Sequence, residues 1–503
     1  MTERTQEKDA RQEREPFLEA CVRYLDSSPV CFDVPAHKMG GIVTDLADYS
    51  GKQVFKADFN APIGLDNLYH PRGVIKEAED LAAEAFQADK ALFSVNGTTG
   101  GILTIMLSIL RPKDKIILPR NVHKSVINGL ILSGATPVFV SPDCDPNTGI
   151  SNGVAYETYL RAMEENHDAK AVFVLNPTYF GIVSDLKRIV EAAHAKDMVV
   201  MCDEAHGSHF AFSNKMPISA MEAGADITTM SVHKTGGSLT QSSLILCKKG
   251  RIDISRVERA FAMLSSTSPN HILLASLDAA RKYLYFHGRE KIEENIELAN
   301  YARKEISKIP GLSVLDSSYC DRSARFNMDL TKLVIEVSGL GITGFEVRDI
   351  LKRDYNIQLE LAEISEVLAI VGLGSKKEDI NRLVYALSDL SKKRYSSGIN
   401  IDLPHFNYEY PTLVVRPREA YNAPCKIVPL EDALGEISAE SIMIYPPGIP
   451  ICIPGEMVSK NALELVEFYL KNGGVLLSDS SEGYIKVIDQ QQWYKSSDID
   501  IDL

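Results

Sequence analysis

Two stretches decide the reading: residues 198–206, MVVMCDEAH, and residues 227–234, ITTMSVHK. Each is a short, largely apolar run that ends in groups able to do chemistry. Asp203 closes the first, and Lys234 follows the second, 31 residues beyond Asp203. Runs of four to eight such residues read as buried strands, too short for core helices. Further runs of the same kind lie at 115–118, 137–140, 171–175 and 243–247, with helical patterns between them at 156–165 and 185–195. Strands alternating with helices predict an α/β fold with a mainly parallel sheet covered on both faces. Ligands of such sheets bind at the carboxyl ends of the strands, which is where Asp203 and Lys234 fall.

The remaining chain is organised around this core. Residues 1–15 are polar, and 16–26 (PFLEACVRYLD) read as a short amphipathic helix. Residues 271–308 look helical throughout. Residues 310–390 show βαβ-like alternation, with strands at LVIEV (333–337) and IQLEL (357–361) and helices near 344–353 and 377–392. Around 395–404, YSSGIN and Leu403-Pro404 suggest a linker, and the stretch after Gln490 is a polar, acidic tail. The expected organisation is an N-terminal arm (1–30), a large domain (31–285), a smaller α+β domain (286–396), a C-terminal α+β domain (397–490) and a tail (491–503).

Composition excludes several function classes. The 503 residues are 45% hydrophobic and 24% charged, ordinary for a globular protein. A net charge of −14 argues against nucleic acid or anionic membrane as the main partner. The eight cysteines form no C-x-x-C pair, and several sit inside apolar runs. This fits a reducing, cytoplasmic setting better than a disulfide framework. The first fifteen residues have no apolar signal core, and no stretch is long and apolar enough to span a membrane.

A lysine past one strand and a carboxylate at the end of another suggest a pyridoxal phosphate site. A lysine amine holds that cofactor as a Schiff base. A carboxylate keeps its pyridine nitrogen protonated, so that the ring accepts electrons. Taken singly, each residue has a plainer reading: Lys234 as a surface lysine, Asp203 as a helix N-cap. Asn96-Gly97-Thr98-Thr99-Gly100-Gly101 precedes an apolar helix and offers hydroxyls and amide N–H groups to a phosphate, or is an ordinary cap. Ser231 could donate to the same phosphate. His123, opening another helix, could stack on the ring or simply cap. His206 and His233 flank the acid and the lysine; either could bond the cofactor's phenolic oxygen or phosphate, or satisfy backbone. The D-E-A-H-G-S-H spacing matches no zinc site, and Gly97–Gly101 lacks the G-K-[ST] ending of a Walker loop. No metal is expected.

Together, S-x-H-K, the D-x-A-H strand end and Arg120-Asn-Val-His-Lys-Ser125 resemble the Orn/Lys/Arg decarboxylase family. Pro35-Ala-His-Lys-Met-Gly-Gly41 resembles its P-G-H-K-x-G-G, with Ala36 for a glycine. Gly64-Leu65-Asp66-Asn67-Leu68, the block from Pro71 to Ala78, and Asn176-Pro-Thr-Tyr-x-Gly181 also match. So does Tyr445-Pro-Pro-Gly-Ile-Pro450 with Pro454-Gly455-Glu456. The likeness covers about residues 17–485 and is nearest to the short bacterial biosynthetic arginine decarboxylases.

This resemblance implies the aspartate aminotransferase fold (fold type I) with an added C-terminal domain. It also implies pyridoxal 5'-phosphate as cofactor. Lys234 would hold the cofactor, Asp203 would pair with the pyridine nitrogen, and His123 would stack on the ring. Thr99, Gly100, Ser231 and His233 would bind phosphate, although the family often has Ser-Thr at Thr99-Gly100. Ala205 would pack on the ring. His206 stands where aminotransferase-type relatives often carry tyrosine, which mildly favours decarboxylation.

The implied reaction is decarboxylation of a cationic amino acid. Arginine giving agmatine, on a polyamine route, is expected first; lysine and then ornithine are the alternatives, and an aminotransferase is more distant. Glu456 is put forward to meet the substrate's side-chain cation, with a purely structural role weighing equally. A homodimer with sites at the subunit interface is implied, and a higher assembly is open.

Overall fold

The structure is a computed structural model that describes residues 3–42, 44–321, 323–395, 410–445 and 449–496. Part of the 445–450 sequence block, most of the expected linker and the end of the tail lie outside the described residues. Contacts divide the chain into two compact units, each discontinuous in sequence. The first comprises Met1–Ile109 and Val199–Glu293, the second Leu110–Met198 and Glu294–Leu503.

The class is mixed α/β with a mainly parallel central sheet. Its strands are β1 (Lys90–Ser94), β2 (Lys115–Pro119), β3 (Thr136–Val140), β4 (Ala171–Leu175), β5 (Val199–Asp203), β6 (Ile227–Met230) and β7 (Ser243–Cys247). Within the first unit they lie in the order β1-β7-β6-β5. β5 and β6 run parallel with Asp203 opposite Thr229, and β7 is antiparallel to both its neighbours. Within the second unit the order is β4-β2-β3, all parallel. β5, β6 and β7 are buried along their whole length. That burial explains why they read as continuous apolar runs without alternation.

Helix Gly97–Ile109 covers this part of the sheet at very close range. A Cβ on Gly101 would stand 2.0 Å from the Thr229 Oγ1 of β6. Glycine is therefore what lets the first turn of this helix reach the strand that precedes Lys234. The six-residue run containing Gly97, Thr98 and Gly100 is mostly helix: it forms the first turn rather than preceding the helix.

The polar N-terminus also contains an unpredicted helix, Glu3–Gln12. It is followed by helix Pro16–Asp26, as read from the sequence. Buried Asp278 and Arg281 on the long helix His271–Ile306 hold the two together. Asp278 accepts from Phe17 N at 3.0 Å, and Arg281 donates to Gln12 O at 2.6 Å. Arg281 and Asp278 are themselves paired at 2.7 Å. The anchoring groups lie far along the chain, so periodicity near residue 10 could not reveal them.

In the second unit, an antiparallel sheet orders Leu361–Ala362, Glu366–Ile370, Lys332–Glu336 and Ser313–Val314. Helices Gly344–Tyr355 and Lys377–Arg394 flank it, the first opened by a Thr343/Glu346 capping box. The expected strand at 357–361 is confined to Leu361–Ala362. Asn356 ends the preceding helix in the left-handed region, and the next residues only carry the chain to the sheet edge. Among the described residues the unit has three further small sheets: Ile182–Val183 with Asn327–Met328, Cys425–Pro429 with Tyr484–Ile488, and Ile442–Tyr445 between Ile449–Cys452 and Val475–Leu477. One hydrophobic cluster runs from Ile335, Val367 and Leu387 to Ile442, Ile485 and Val487, so the four-stranded sheet and the two C-terminal sheets share a core.

Candidate active site

The first unit gathers eight of the ten candidate residues. Asp203 is the last residue of β5, 2% exposed, and its Oδ1 accepts a hydrogen bond of 3.0 Å from Ala205 N. Burial pushes its carboxyl above the ordinary range; the Ala205 N–H and the positive charge of Lys234 pull the other way. Ser231 caps the one-turn helix Val232–Thr235, which places Lys234 just beyond the carboxyl end of β6. Lys234 is exposed, and its Nζ lies 3.0 Å from His206 Nε2.

Several bonds hold the loop after β5 against this helix. Ser208 and Thr235 share a hydroxyl–hydroxyl hydrogen bond of 2.7 Å. Glu204 N donates to Thr229 O on β6, and Glu204 Oε1 accepts from Ala220 N at 2.8 Å. His233 Nδ1 lies 2.8 Å from Ser242 O. Its imidazole is held below the ordinary range by burial, with the Lys234 charge adding to the effect.

Ser231 Oγ meets a threonine hydroxyl of the first turn of helix Gly97–Ile109, and that threonine is Thr98. The separation is 2.5 Å, and both residues are buried. Thr99 is exposed and Gly100 half-buried. Thr98 was legible only as one member of a six-residue run; knowing that the helix begins at Gly97 singles it out.

His123 and Glu456 belong to the second unit. His123 is the N-cap of helix Lys124–Ser133, with Nδ1 accepting from Ser125 N at 3.1 Å. Glu456 is committed to a partner within that unit. It is 1% exposed, and its carboxylate grips Arg120 at 3.2 Å and 2.8 Å while accepting from Ile453 N at 2.9 Å. Arg120 also donates to Pro450 O and Ile451 O. Glu456 therefore serves as the counter-charge of a buried arginine. This pairing is the structural role that the sequence weighed equally with a substrate contact.

The sequence profile described as Orn/Lys/Arg decarboxylase, major domain, matches residues 15–379, and that of the C-terminal domain matches residues 404–473. The chain belongs to the Orn/Lys/Arg decarboxylase family. It is 44% identical over 463 residues to an arginine decarboxylase of Halalkalibacterium halodurans, covering 91% of this chain and 94% of that protein. It is 42% identical over 492 residues to an arginine decarboxylase of Bacillus subtilis, covering 96% and 99%. Among solved structures, the Francisella novicida lysine decarboxylase LdcF superposes with a TM-score of 0.81 at 22% identity, covering 94% of this chain and 81% of that one. This decarboxylase thus has the Orn/Lys/Arg decarboxylase fold, and its sequence matches extend over both the major and the C-terminal domain.

Proposed function

We propose that this decarboxylase uses pyridoxal 5'-phosphate to convert L-arginine to agmatine and carbon dioxide, in the cytoplasm and on a polyamine route. The observation that carries the reading is the placement of Asp203 at the end of β5 and of Lys234 just beyond the end of the neighbouring parallel strand β6. The choice of arginine rests on the arginine decarboxylases 42–44% identical to this chain; a lysine decarboxylase of Pseudomonas aeruginosa stands at 24%.

The residues present fit the cofactor. Asp203 is a buried carboxylate whose ionised form is disfavoured by burial, and a cationic pyridine nitrogen is the partner that would restore it. Thr98 and Ser231 offer paired hydroxyls at the start of a helix of thirteen residues, where backbone N–H groups favour a phosphate. Lys234 supplies an accessible amine. Bound there, pyridoxal phosphate provides an electron sink for the pair left at the α-carbon when carbon dioxide departs. Asp203 holds the proton on the ring nitrogen. Thr98, Thr99, Gly100, Ser231 and His233 bind the phosphate. Ala205 would pack on the ring, the family likeness would give His123 the stacking role, and His206 lies beside the Lys234 amine. The domain boundaries given from the sequence are part of the same reading.

A homodimer is included in the proposal. Phe32 is 92% exposed and Tyr49 91%, and Val30, Val34 and Ile63 are also exposed. So many large apolar groups in one stretch of chain favour a protein partner, and a second copy meets the family's expected assembly. Incubating the cofactor-loaded protein separately with arginine, lysine and ornithine tests the function. Agmatine and carbon dioxide from arginine, without a keto-acid acceptor, are expected. Cadaverine or putrescine as the main product would overturn the substrate, and no carbon dioxide from any of the three would overturn the reaction.

A further inference from the structure

The family comparison leaves His206 without a defined task, while the geometry gives it a close partner. His206 is 4% exposed, and its Nε2 lies 3.0 Å from Lys234 Nζ. The contact is fixed from both sides. The Asp203 Oδ1–Ala205 N bond turns the chain directly before His206, and Gly207 N donates to Glu204 O directly after it. The Ser208–Thr235 bond ties that loop to the helix carrying Lys234.

An ammonium has only donors, so a hydrogen bond from Lys234 requires Nε2 to be an unprotonated acceptor. Two cations at this distance disfavour each other, so the geometry suits a single positive charge shared between Nζ and Nε2. Asp203 favours a positive Lys234, and Lys234 disfavours the charged form of His233. Glu204 is buried beside Asp203, whose charge adds to the upward push of burial on its carboxyl. Neither Asp203 nor His233 has a hydrogen bond to Nζ, whereas His206 does.

We propose that His206 is a catalytic residue, the proton acceptor and donor for Lys234. The inference rests on Lys234 being the cofactor lysine. Nε2 takes one proton from the Nζ ammonium, leaving a neutral amine and an imidazolium with total charge unchanged. The amine then bonds to the cofactor's aldehyde carbon. The carbon–oxygen bond breaks, and the oxygen leaves as water with the two remaining amine protons. Nε2 returns its proton to Nζ, and the imidazole is regenerated. The reverse sequence readies Lys234 to be displaced.

Uptake of pyridoxal phosphate by full-length apoprotein tests this, followed by visible absorbance from about pH 6 to about pH 10. At neutral pH, His206→Gln is expected to take up cofactor roughly 100-fold more slowly than the parent. Its rate should climb only toward the ordinary lysine range, and added imidazole should partly restore His206→Ala. Superimposable pH profiles for parent and folded His206→Gln would overturn the proposal while leaving Lys234 in place. Cofactor uptake with the same absorbance by Lys234→Ala would overturn both the proposal and the site reading beneath it. Competitive acetylation of the unsubstituted apoprotein, read by peptide mass spectrometry, needs no variant to fold. Lys234 should become reactive at lower pH than the other exposed lysines, and an identical curve would refute the pairing.

Discussion

At the residue level, the site rests on Asp203 and Lys234 having different surroundings. Asp203 is buried and rigidly held, while Lys234 is exposed, with its Nζ 3.0 Å from His206 Nε2. Lys234→Ala should lose both the visible absorbance of bound cofactor and decarboxylation, since no other group in the first unit's site supplies a primary amine there. Asp203→Asn keeps the shape and the Ala205 hydrogen bond but removes the charge. It should lower turnover by roughly 100-fold or more while retaining cofactor, measured as steady-state rate against bound pyridoxal phosphate. Equal rates would show that the carboxylate's charge is idle. Lys234, Asp203 and Ser231 were legible because strand ends and polar punctuation are local signals. Thr98 was not singled out, because its role depends on where a helix begins. The Lys234–His206 contact was not legible either, because no spacing rule reports a side chain folding back across 28 residues.

At the level of elements, two close approaches carry consequences. Gly101→Ala would push a methyl group into Thr229 and lift the first turn of helix Gly97–Ile109 off β6. Overpacking of this kind costs about 1–3 kcal/mol. Because the displaced turn carries Thr98, cofactor affinity should fall along with stability; a pyridoxal phosphate titration of the variant measures this. In the second unit, Glu456→Ala leaves Arg120 buried with no carboxylate partner, at an expected cost of about 3–5 kcal/mol, measured by urea unfolding. A loss below about 1 kcal/mol would mean that the pair is no stronger than a surface one. The strands at 171–175 and 243–247 were legible to the residue because burial on both faces imposes an unbroken apolar run. Helix Glu3–Gln12 and the Arg120–Glu456 pair were not, because both depend on partners hundreds of residues away.

For the whole molecule, buried carboxylates make stability depend on pH. Burial pushes Glu79 up to about 7 and Glu204 and Glu366 up to about 8. Each folded-state value lies above that of an unfolded glutamate, about 4.3. Over that interval the folded chain keeps protons that the unfolded chain releases, so stability falls as pH rises. The slope is at most about 1.4 kcal/mol per pH unit for each group. Exposed carboxylates such as Asp389, held low by its hydrogen bond from Lys393, act in the opposite sense and only at acid pH. The unfolding midpoint of the apoprotein should therefore be highest near about pH 5 and decline toward about pH 8. Glu204 gives the cleanest test, because its Oε2 is buried without a hydrogen-bond partner. Glu204→Gln should raise the midpoint at alkaline pH by a few degrees and flatten the decline, leaving the midpoint near pH 5 almost unchanged. Scanning calorimetry of both proteins across this range decides the matter: parallel curves would place the pH dependence elsewhere, whereas convergence toward acid would assign it to the carboxyl beside Asp203.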